Sequence, residues 1–476
     1  MSQIALEGTD RQTAPEAIVA GLVERARAAM SAFESSDQSR VDEAVTALAW
    51  SIYKPENARA LAEMAVDDTG LGNVSDKIVK NQRKTFGTLR DLLRVRTVGV
   101  IETDPSLGLV KYGKPVGVVC AVTPSTNPAA TPVNKAMMAI KGRNAVIVAP
   151  SPAGLATTTR TVELMRDELK KIGAPPDLVQ VLPAPVNKAL TNALMAASDL
   201  VVVTGSQNNV RAAYTSGKPA IGVGAGNVPV IIDASADFDD AAQKICASKT
   251  FDNATSCSSE NSLVILDEVY DAAVSALKSA GGYMASAKEK KKIQDALWVN
   301  GSLNRKLIAK DAPVVARETG LSKAAHNARF FMVEETGVGK DYPFSDEKLS
   351  LVLTVYRAAD LDAAIDRVRE ILEFKGKGHS CGIHTRNMDH ARRLAEELDV
   401  VRVLVNFAHT FGNGGGFDSG LNFTLSMGCG TWQGNSISEN LNYRHFINIT
   451  HLTTAIPEDK PAEESLFGAY WAKYGK

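Results

Sequence analysis

Short apolar runs alternate with helical segments through the middle of the chain, and this alternation limits the fold more than any other feature. Short strands joined by helices form a parallel sheet that helices cover on both faces. Ligands bind such sheets at the carboxyl ends of the strands. The predicted strands are 116–122, 145–149, 179–182, 200–204, 219–223 and 228–232, and the helices between them are 133–141, 157–172, 187–197 and 207–216. We therefore expect an α/β fold whose first half binds a nucleotide.

Further regions flank this series. Residues 15–95 show helical periodicity, and residues 97–118 change to alternating β-branched residues that predict an extended hairpin. The segment 446–450 predicts an edge strand that is able to pair with the sheet of a partner subunit. A second α/β series has predicted strands 262–266, 329–333, 350–356, 380–384 and 401–406 and predicted helices 268–279, 287–297, 360–373 and 388–397. Because 476 residues are too many for one core, we expect two large domains.

Charge and cysteine content exclude several classes of protein. The 53 basic and 54 acidic residues leave no net field, so neither nucleic acid nor a membrane is expected as a partner. The five cysteines are far apart and include no CxxC pair, which predicts no disulfide framework, no metal site and a reducing compartment. Glu7 and Asp10 precede any apolar run, which argues against a secretory signal, and no apolar stretch approaches the ~20 residues that span a bilayer. The sequence therefore predicts a cytoplasmic protein.

Cys257 lies where an alanine-rich helical segment changes to small hydroxylated residues, just before the predicted strand 262–266. A structural cysteine usually has apolar neighbours, which raise its pKa and leave it inert. The neighbours of Cys257 include Ser256 and Ser258, which are compact and polar and leave room for a substrate and donors for a thiolate. The pattern predicts a nucleophile between the two α/β halves.

Two turns at strand ends point to one crevice. Thr204, Gly205 and Ser206 follow a strand and open a helix, which brings bare backbone and a helix N-terminus towards a phosphate or a nicotinamide ring. Alone, this turn is more typical of an ordinary strand-to-helix turn with Ser206 as the N-cap. Asn127 also follows a strand and can donate to an oxyanion, although an Asx-turn ahead of Pro128 is the simpler explanation of the local sequence.

Together these segments resemble the aldehyde dehydrogenase superfamily over nearly the whole chain, and most specifically its coenzyme A-acylating branch. The segments that match are 123–128, 141–145, 222–229, 251–260, 347–350, 378–379 and 428–436. The resemblance implies a Rossmann-type cofactor domain, an α/β catalytic domain and a β oligomerisation arm, and hence a homo-oligomer. The expected boundaries are 1–96 and 114–234 for the cofactor-binding domain, 235–440 for the catalytic domain, 97–113 and 441–460 for the arm and 461–476 for a C-terminal tail.

The resemblance also implies a mechanism. Cys257 attacks an aldehyde, Asn127 and the Cys257 backbone N–H hold the oxyanion, NAD or NADP takes a hydride, and coenzyme A receives the acyl group. His379 resembles the recurrent histidine of the branch that deprotonates coenzyme A, and its unperturbed pKa of ~6.5 suits that task; chance placement of a histidine on a loop explains it equally well. The residues that the resemblance assigns to the cofactor are Thr123, Pro124, Ser125, Ser151, Thr204, Gly205, Ser206, Gly224 and Glu347.

One position departs from the hydrolytic members of the superfamily. Those members have a glutamate that activates water where this chain has Val223, 34 residues before Cys257 (257 − 223). A valine cannot accept a proton, and general-base catalysis contributes about 10² to 10⁴-fold. We therefore expect slow hydrolysis and transfer of the acyl group to coenzyme A. A hydrolytic dehydrogenase that uses a different base and a nucleotide-binding scaffold without activity are the alternatives.

The preferred nucleotide and the aldehyde are less sharply defined. Ala149 and Pro152 occupy places where hydrolytic members commonly have a lysine and a glutamate, and the missing carboxylate permits NADP and slightly favours it. Segments 406–411 and 442–445 combine donors with aromatic residues, which fits a small acidic aldehyde. The overall resemblance is closest to the acylating enzymes that act on sulfoacetaldehyde and succinate semialdehyde. The alternative is that Arg444 and its neighbour belong to a subunit contact.

Overall fold

A computed structural model of the chain describes residues 13–476. The described part begins with four helices, α1 (Thr13–Phe33), α2 (Gln38–Tyr53), α3 (Pro55–Thr69) and α4 (Val74–Leu93). Helix α4 begins after Asn73, whose side chain accepts a hydrogen bond from the backbone N–H of Asp76 at 2.9 Å. The predicted cofactor-binding domain starts at residue 1, and its residues 1–12 lie outside the described residues.

The first sheet follows a hairpin of β1 (Gly99–Asp104) and β2 (Leu109–Pro115). Its strands are β3 (Val118–Val122), β4 (Ala145–Ala149), β5 (Val179–Val181), β6 (Leu200–Val203) and β7 (Ala220–Gly222). They are joined by α5 (Ala130–Lys141), α6 (Leu155–Lys171), α7 (Lys188–Ala197) and α8 (Gln207–Tyr214). All strands are parallel in the order β5-β4-β3-β6-β7.

Helices cover both faces of this sheet, which is why β3, β4 and β6 consist of buried apolar residues throughout. Helices α5 and α6 pack on one face and α1 and α7 on the other, and α2 packs on α5 and α6 from outside. The strand order reverses between β3 and β6. Such a reversal opens a crevice at the carboxyl ends of the two strands, where nucleotides bind in doubly wound sheets.

The second sheet is also parallel, in the order β10-β13-β14-β9-β8-β15-β16. Its strands are β8 (Val228–Ile232), β9 (Glu260–Leu266), β10 (Gly282–Met284), β13 (Phe330–Glu334), β14 (Val352–Ala358), β15 (Cys381–His384) and β16 (Val403–Val405). A separate small hairpin consists of β11 (Trp298–Val299) and β12 (Ser302–Leu303). The helices of this half are α9 (Phe238–Thr250), α10 (Tyr270–Ser279), α11 (Ala287–Leu297), α12 (Ala312–Glu318), α13 (Leu361–Phe374), α14 (Met388–Glu397) and α15 (His409–Gly412). Helices α9 to α12 form a core with one face and α13 and α14 with the other. The two parallel sheets confirm the predicted α/β class.

Strand β8 corrects one expected boundary. The sequence placed 228–232 in the cofactor-binding domain, which was expected to end at residue 234. In the structure β8 pairs with β9 and β15 of the second sheet, while β7 stays in the first. The change from one sheet to the other therefore lies in the loop 223–227.

The end of the chain completes the arm. Strand β17 (Ile447–Thr453) pairs antiparallel with β2 of the same chain, so β1, β2 and β17 form one three-stranded sheet. Helix α16 (Glu463–Tyr474) follows and has no buried residue. Across residues 13–476, no helix combines the length and the apolar character that crossing a membrane requires.

Candidate active site

Cys257 lies in the loop between α9 and β9, directly against the loop 223–227 that precedes β8. Both loops are at the amino ends of their strands, and Gly226 is the residue that contacts the backbone of Cys257. All five cysteines are free thiols, and Cys257 alone among them is partly exposed. The structure thus presents one accessible thiol at the edge of the second sheet.

Cys257 lines a narrow cleft that we call the thiol cleft. Its other walls are Asn227, Lys249, Ala254, Ser256, Ser259, Asn261, Glu347 and Leu349. Burial in this cleft, and then the nearby charges of Glu347 and Cys429, raise the pKa of Cys257 to about 12, while Arg402 and Ser258 act in the opposite direction. The sequence-based expectation that polar neighbours stabilise a thiolate is therefore wrong for the free protein, because desolvation outweighs those donors.

Glu347 is the carboxylate in the wall of the thiol cleft. Burial is the main reason that its pKa is raised to about 7. Glu347 and Cys257 line the same cleft. The resemblance assigns Glu347 a contact with a ribose of the cofactor. The sequence alone would have classified Glu347 as part of a solvated loop, so its burial is information that the fold supplies.

A second cleft, which we call the basic cleft, adjoins the first. Its walls are Lys80, Arg83, Lys84, Asn127, Phe251, Ser256, Ser258, Thr410, Phe411, Gly414, Thr424, Leu425 and Met427. Ser256 belongs to both clefts and Ser258 lines this one, so Cys257 lies at the boundary between them. A small molecule in the basic cleft would therefore lie next to the loop that carries the thiol, whereas Glu347 lines only the thiol cleft.

Both groups predicted to hold an oxyanion remain available to a ligand. Asn127 lines the basic cleft, and its Nδ2 makes only a 3.4 Å contact with the hydroxyl of Thr126. Its Oδ1 is buried without a partner. Within residues 13–476, the backbone N–H of Cys257 donates to no acceptor, while the N–H groups of the next two residues, Ser258 and Ser259, both donate to Ser256.

Lysines of α4 connect the loop that contains Asn127 to the loop that contains Cys257. Lys77 Nζ donates to the carbonyl oxygen of Thr126, next to Asn127, and to the carboxylate of Asp252, both at 3.1 Å. Lys80 donates to the same carboxylate at 2.5 Å and to Thr255 Oγ1 at 3.1 Å. Asp252 itself is fully buried. Sequence reasoning missed this network because its members are separated by up to 175 residues.

The residues assigned to the cofactor gather mainly at the crevice of the first sheet. Thr123, Pro124 and Ser125 follow β3, Ser151 follows β4, and Thr204, Gly205 and Ser206 follow β6. The Ser151 N–H donates to the Thr123 carbonyl at 3.2 Å, and Ser206 caps α8. Two features fit a nucleotide: the buried hydroxyl of Thr123 has no partner, and a Cβ atom at Gly205 would meet nothing closer than 3.8 Å.

Gly224 occupies a different environment. A Cβ atom there would lie 1.5 Å from Gln433 Oε1 and 2.8 Å from Cys429 Sγ, so the residue packs against the segment around 430. Gln433 Nε2 also donates to the carbonyl of Ala225 at 3.0 Å. Val223, one residue earlier, is buried. This loop is thus held closely between the thiol and the segment that contains Cys429.

His379 is buried between α13 and β15 and lines neither cleft. Its Nδ1 lies 2.7 Å from the hydroxyl of Ser380, and its Nε2 is buried without a partner. Burial, and then Arg402 and His409, hold its pKa well below the ordinary value for histidine. The ring is therefore neutral but a weaker base than an ordinary histidine, so the expectation that an unperturbed pKa suits this role is wrong for the free protein.

The substrate segments are only partly brought to the site. Thr410 and Phe411 line the basic cleft, as the expectation for 406–411 requires. Arg444 instead lines a separate cleft with Asp91 and Tyr443, and that cleft includes no residue of the thiol or basic cleft. The structure therefore does not bring Arg444 to either of the clefts at Cys257, and a contact of 442–445 with the substrate stays a prediction. The cations that line the basic cleft belong instead to α4. Sequence reasoning missed them because charged residues on a helix are usually solvated.

Comparisons with known proteins agree with this geometry. The profile described as "Aldehyde dehydrogenase family" matches residues 9–294. The chain belongs to the aldehyde dehydrogenase family. It is 54% identical over 466 residues to "Sulfoacetaldehyde dehydrogenase (acylating)" of Cupriavidus necator, covering 98% of this chain and 94% of that one. It is 43% identical over 459 residues to the protein of the same name from Bilophila wadsworthia, covering 95% of this chain and 98% of that one.

A solved structure gives the same result. The acetylating aldehyde dehydrogenase from Geobacillus thermoglucosidasius superposes with a TM-score of 0.91 at 36% identity, covering 95% of this chain and 100% of that one. Within the aldehyde dehydrogenase family, the chain is therefore an acylating member, an oxidoreductase that acts on aldehydes. Acylating aldehyde dehydrogenases use a nicotinamide nucleotide and coenzyme A, and the crevice of the first sheet fits the former.

Proposed function

We propose that the protein catalyses the reversible reaction of sulfoacetaldehyde, coenzyme A and NAD(P)⁺ to sulfoacetyl-coenzyme A, NAD(P)H and a proton. The observation that supports this substrate most strongly is the 54% identity, over 98% of the chain, to an acylating sulfoacetaldehyde dehydrogenase. Succinate semialdehyde and acetaldehyde are the alternative aldehydes.

In the proposed mechanism the Cys257 thiolate attacks the aldehyde carbon from the boundary of the two clefts. The carbonyl oxygen becomes an oxyanion that accepts hydrogen bonds from Asn127 Nδ2 and the Cys257 backbone N–H, both of which are free to donate to it. The loss of one such donor typically costs about 2.7–4 kcal/mol of transition-state stabilisation. Collapse of this species leaves the acyl group on Cys257 as a thioester.

A nicotinamide nucleotide, when bound, supplies the hydride acceptor for that collapse. Thr123, Pro124, Ser125 and Thr204 to Ser206 would hold it at the carboxyl ends of β3 and β6, with Ser151 beside them after β4. Glu347 would accept a hydrogen bond from a ribose hydroxyl in the thiol cleft, and Gly224 would lie near that end. We propose NADP as the preferred nucleotide, because Ala149 and Pro152 place no carboxylate against a 2′-phosphate.

Transfer to coenzyme A completes the reaction. The thiolate of coenzyme A attacks the thioester on Cys257, and the Cys257 thiolate leaves. We propose that His379 accepts the thiol proton of coenzyme A, which its neutral ring permits. Because His379 lines neither cleft, this role requires that coenzyme A or a local movement reaches its free Nε2. Val223 cannot accept a proton from water, so hydrolysis of the thioester is slow and the acyl group is transferred to coenzyme A.

We also propose that the protein is a homo-oligomer of cytoplasmic location, assembled through the arm. The outer edge of β17 is exposed along six of its seven residues. Leu466, Tyr470 and Tyr474 of α16 are 65%, 61% and 63% exposed, which is unusual for large apolar residues in a monomer. Light scattering of the purified protein measures the predicted mass of at least two chains, and a monomer would contradict it.

The test of the proposed function is a dependence on coenzyme A. Purified enzyme is supplied with sulfoacetaldehyde and either NADP⁺ or NAD⁺, with and without coenzyme A, and the products are separated. We expect sulfoacetyl-coenzyme A with coenzyme A and little sulfoacetate without it. Sustained sulfoacetate formation without coenzyme A would favour the hydrolytic alternative, and a Cys257→Ala variant with full turnover would overturn the mechanism. Absence of turnover with any aldehyde would favour the scaffold.

A further inference from the structure

Two cations in the basic cleft have no part in the chemistry described above. Helix α4 places Lys77, Lys80 and Lys84 on one face, because residues three and four apart in a helix are neighbours. Lys77 and Lys80 form ion pairs with Asp252. No carboxylate in residues 15–476 forms an ion pair with Lys84 or Arg83, although both line the cleft.

Lys84 is only partly satisfied by the protein. Its Nζ donates to the carbonyl oxygen of Gly414 at 2.8 Å. Burial, and then the charges of Arg83 and Lys80, lower the pKa of Lys84 to about 7, while Cys257 acts in the opposite direction. The ammonium group is therefore close enough to the thiol for their charges to interact. A bound anion would stabilise the charged form of Lys84.

Arg83 is held in place without being neutralised. Its guanidinium lies over the rings of Phe411, Phe417 and Phe423, with its central carbon 5.5, 5.1 and 5.6 Å from their centroids. These contacts fix the side chain. Its Nη2 also donates to the carbonyl oxygen of Phe411 at 3.5 Å, and Asp418 is near enough for its charge to act on Arg83 without forming an ion pair. Its Nε is buried without a hydrogen-bond partner. Arg83 is thus an oriented donor beside Lys84.

The apolar walls of the basic cleft favour binding of an anion by the two cations. Phe251, Phe411, Leu425 and Met427 contribute apolar walls. An anion that enters such surroundings loses water and needs a charged partner in exchange. Asn127 lines the same cleft, and Ser256 joins it to the thiol cleft. A short aldehyde with its carbonyl at Asn127 and Cys257 would extend its other end along α4.

We propose that Lys84, assisted by Arg83, binds the sulfonate group of the substrate in the basic cleft while the aldehyde carbon reaches Cys257. This assignment rests on the proposed function and names the residues that determine its substrate. A sulfonate offers three acceptor oxygens and a full negative charge, which suit the ammonium donors of Lys84 that Gly414 does not occupy and the planar donors of Arg83. Acetaldehyde lacks this group and would gain nothing from either residue.

The test compares two aldehydes in matched variants. Lys84→Met removes the charge with little change in length, Arg83→Met removes the charge and leaves a shorter unbranched apolar side chain, and Lys84→Arg retains the charge. Arg94→Met is the control, since Arg94 is exposed at the end of α4 and lines neither cleft. The readout is the ratio of kcat/KM for sulfoacetaldehyde to that for acetaldehyde, both with coenzyme A. We expect Lys84→Met and Arg83→Met to lower this ratio about 10- to 100-fold, mainly through KM for sulfoacetaldehyde.

Further results distinguish failure of the proposed sulfonate subsite from failure of the proposed function. Lys84→Arg should restore most of the ratio and Arg94→Met should leave it unchanged. If wild-type enzyme prefers sulfoacetaldehyde and both neutral variants, still turning over acetaldehyde, keep that preference, the subsite is overturned and the function stands. If wild-type enzyme shows no preference for sulfoacetaldehyde, the proposed substrate is overturned. Competitive inhibition by methanesulfonate, present in wild type and lost in Lys84→Met, supports the subsite without any turnover of a sulfonated aldehyde.

Discussion

Gly226 lies directly against Cys257: a Cβ atom on Gly226 would be 2.2 Å from the carbonyl oxygen of Cys257 and 2.8 Å from its Cβ. No alternative rotamer relieves this contact, because the nearest atom belongs to the backbone. The loop 223–227 therefore sets the position of the thiol, and a glycine is required at the point where the two loops meet.

Gly226→Ala should displace the thiol. A shift of about 1 Å in a reacting group can cost about 10²-fold in rate, so we expect kcat to fall by about that factor. The measurement is the rate of the coenzyme A-dependent reaction at saturating substrate. Gly468→Ala is the control, because a Cβ atom there meets nothing within 4 Å. Wild-type kcat in Gly226→Ala would contradict the predicted steric constraint.

The buried network around Asp252 predicts an effect on stability. Asp252→Asn leaves Lys77 and Lys80 buried without their counter-charge, and breaking a buried pair in this way typically costs about 3–5 kcal/mol. The urea midpoint of unfolding should fall accordingly. Asp240→Asn is the control, because Asp240 pairs with Lys244 at the surface, where a pair contributes at most about 1 kcal/mol. Equal shifts in the two variants would contradict the role of burial.

The same network has a defined pH dependence. Burial alone would raise the pKa of Asp252, but Lys80 and Lys77 lower it below the ordinary value. A carboxyl whose pKa is lowered in the folded state stabilises the fold above its unfolded pKa of ~3.9, and this contribution is lost as the pH falls through the lowered pKa. The stability difference between wild type and Asp252→Asn should therefore shrink in acid.

Local patterns in the sequence predicted most of the fold because each strand and helix satisfies its own requirements. The apolar runs of β4 and β9 and the amphipathic face of α11 identify those elements without any tertiary information. The sheet to which β8 belongs was not predictable in this way, since a fully buried strand has the same composition in either sheet. Strand order depends on packing between distant segments.

For the candidate site, too, local sequence indicated some residues and only the packing of distant segments revealed others. Cys257 was singled out by its small polar neighbours, and Asn127 by its place after a strand together with the family resemblance. Lys84 was missed because a cation on an amphipathic helix is ordinarily solvated, and only the approach of Gly414 and the second domain buries it. The raised pKa of Cys257 was missed for a related reason. Desolvation depends on the whole cleft, whereas the sequence shows only the adjacent serines.

The raised pKa of Cys257 predicts how its alkylation depends on pH. With a pKa of about 12, the thiolate fraction rises about tenfold for each pH unit between about pH 7 and pH 10. The rate of reaction with iodoacetamide in the free enzyme should rise in proportion, with no plateau. The other four cysteines are buried, and a Cys257→Ala sample measures any contribution from them. A plateau near pH 8 would contradict this prediction.

Glu347 should slow that alkylation. After burial, its charge is the largest cause of the raised pKa of Cys257. At about pH 8 the Glu347 carboxyl, whose pKa is about 7, is mostly ionised. Glu347→Gln removes the charge, so the pKa of the thiol should fall and the alkylation rate at that pH should increase severalfold. Glu458→Gln, in the exposed segment before α16, should react at the wild-type rate. A slower reaction of Glu347→Gln would contradict the predicted sign.

Val223 predicts the fate of the acyl group. Val223→Glu places a carboxylate in the loop that contacts the Cys257 segment, where it can activate water against the thioester. We expect formation of the free acid without coenzyme A to increase about 10²-fold over wild type. Val223→Gln is the matched control, because it has nearly the same size and cannot act as a base. Both variants are first shown to form the thioester by a single-turnover burst of NAD(P)H. If Val223→Glu gives the burst and then releases acid no faster than Val223→Gln, the missing glutamate does not explain why the acyl group is kept for coenzyme A.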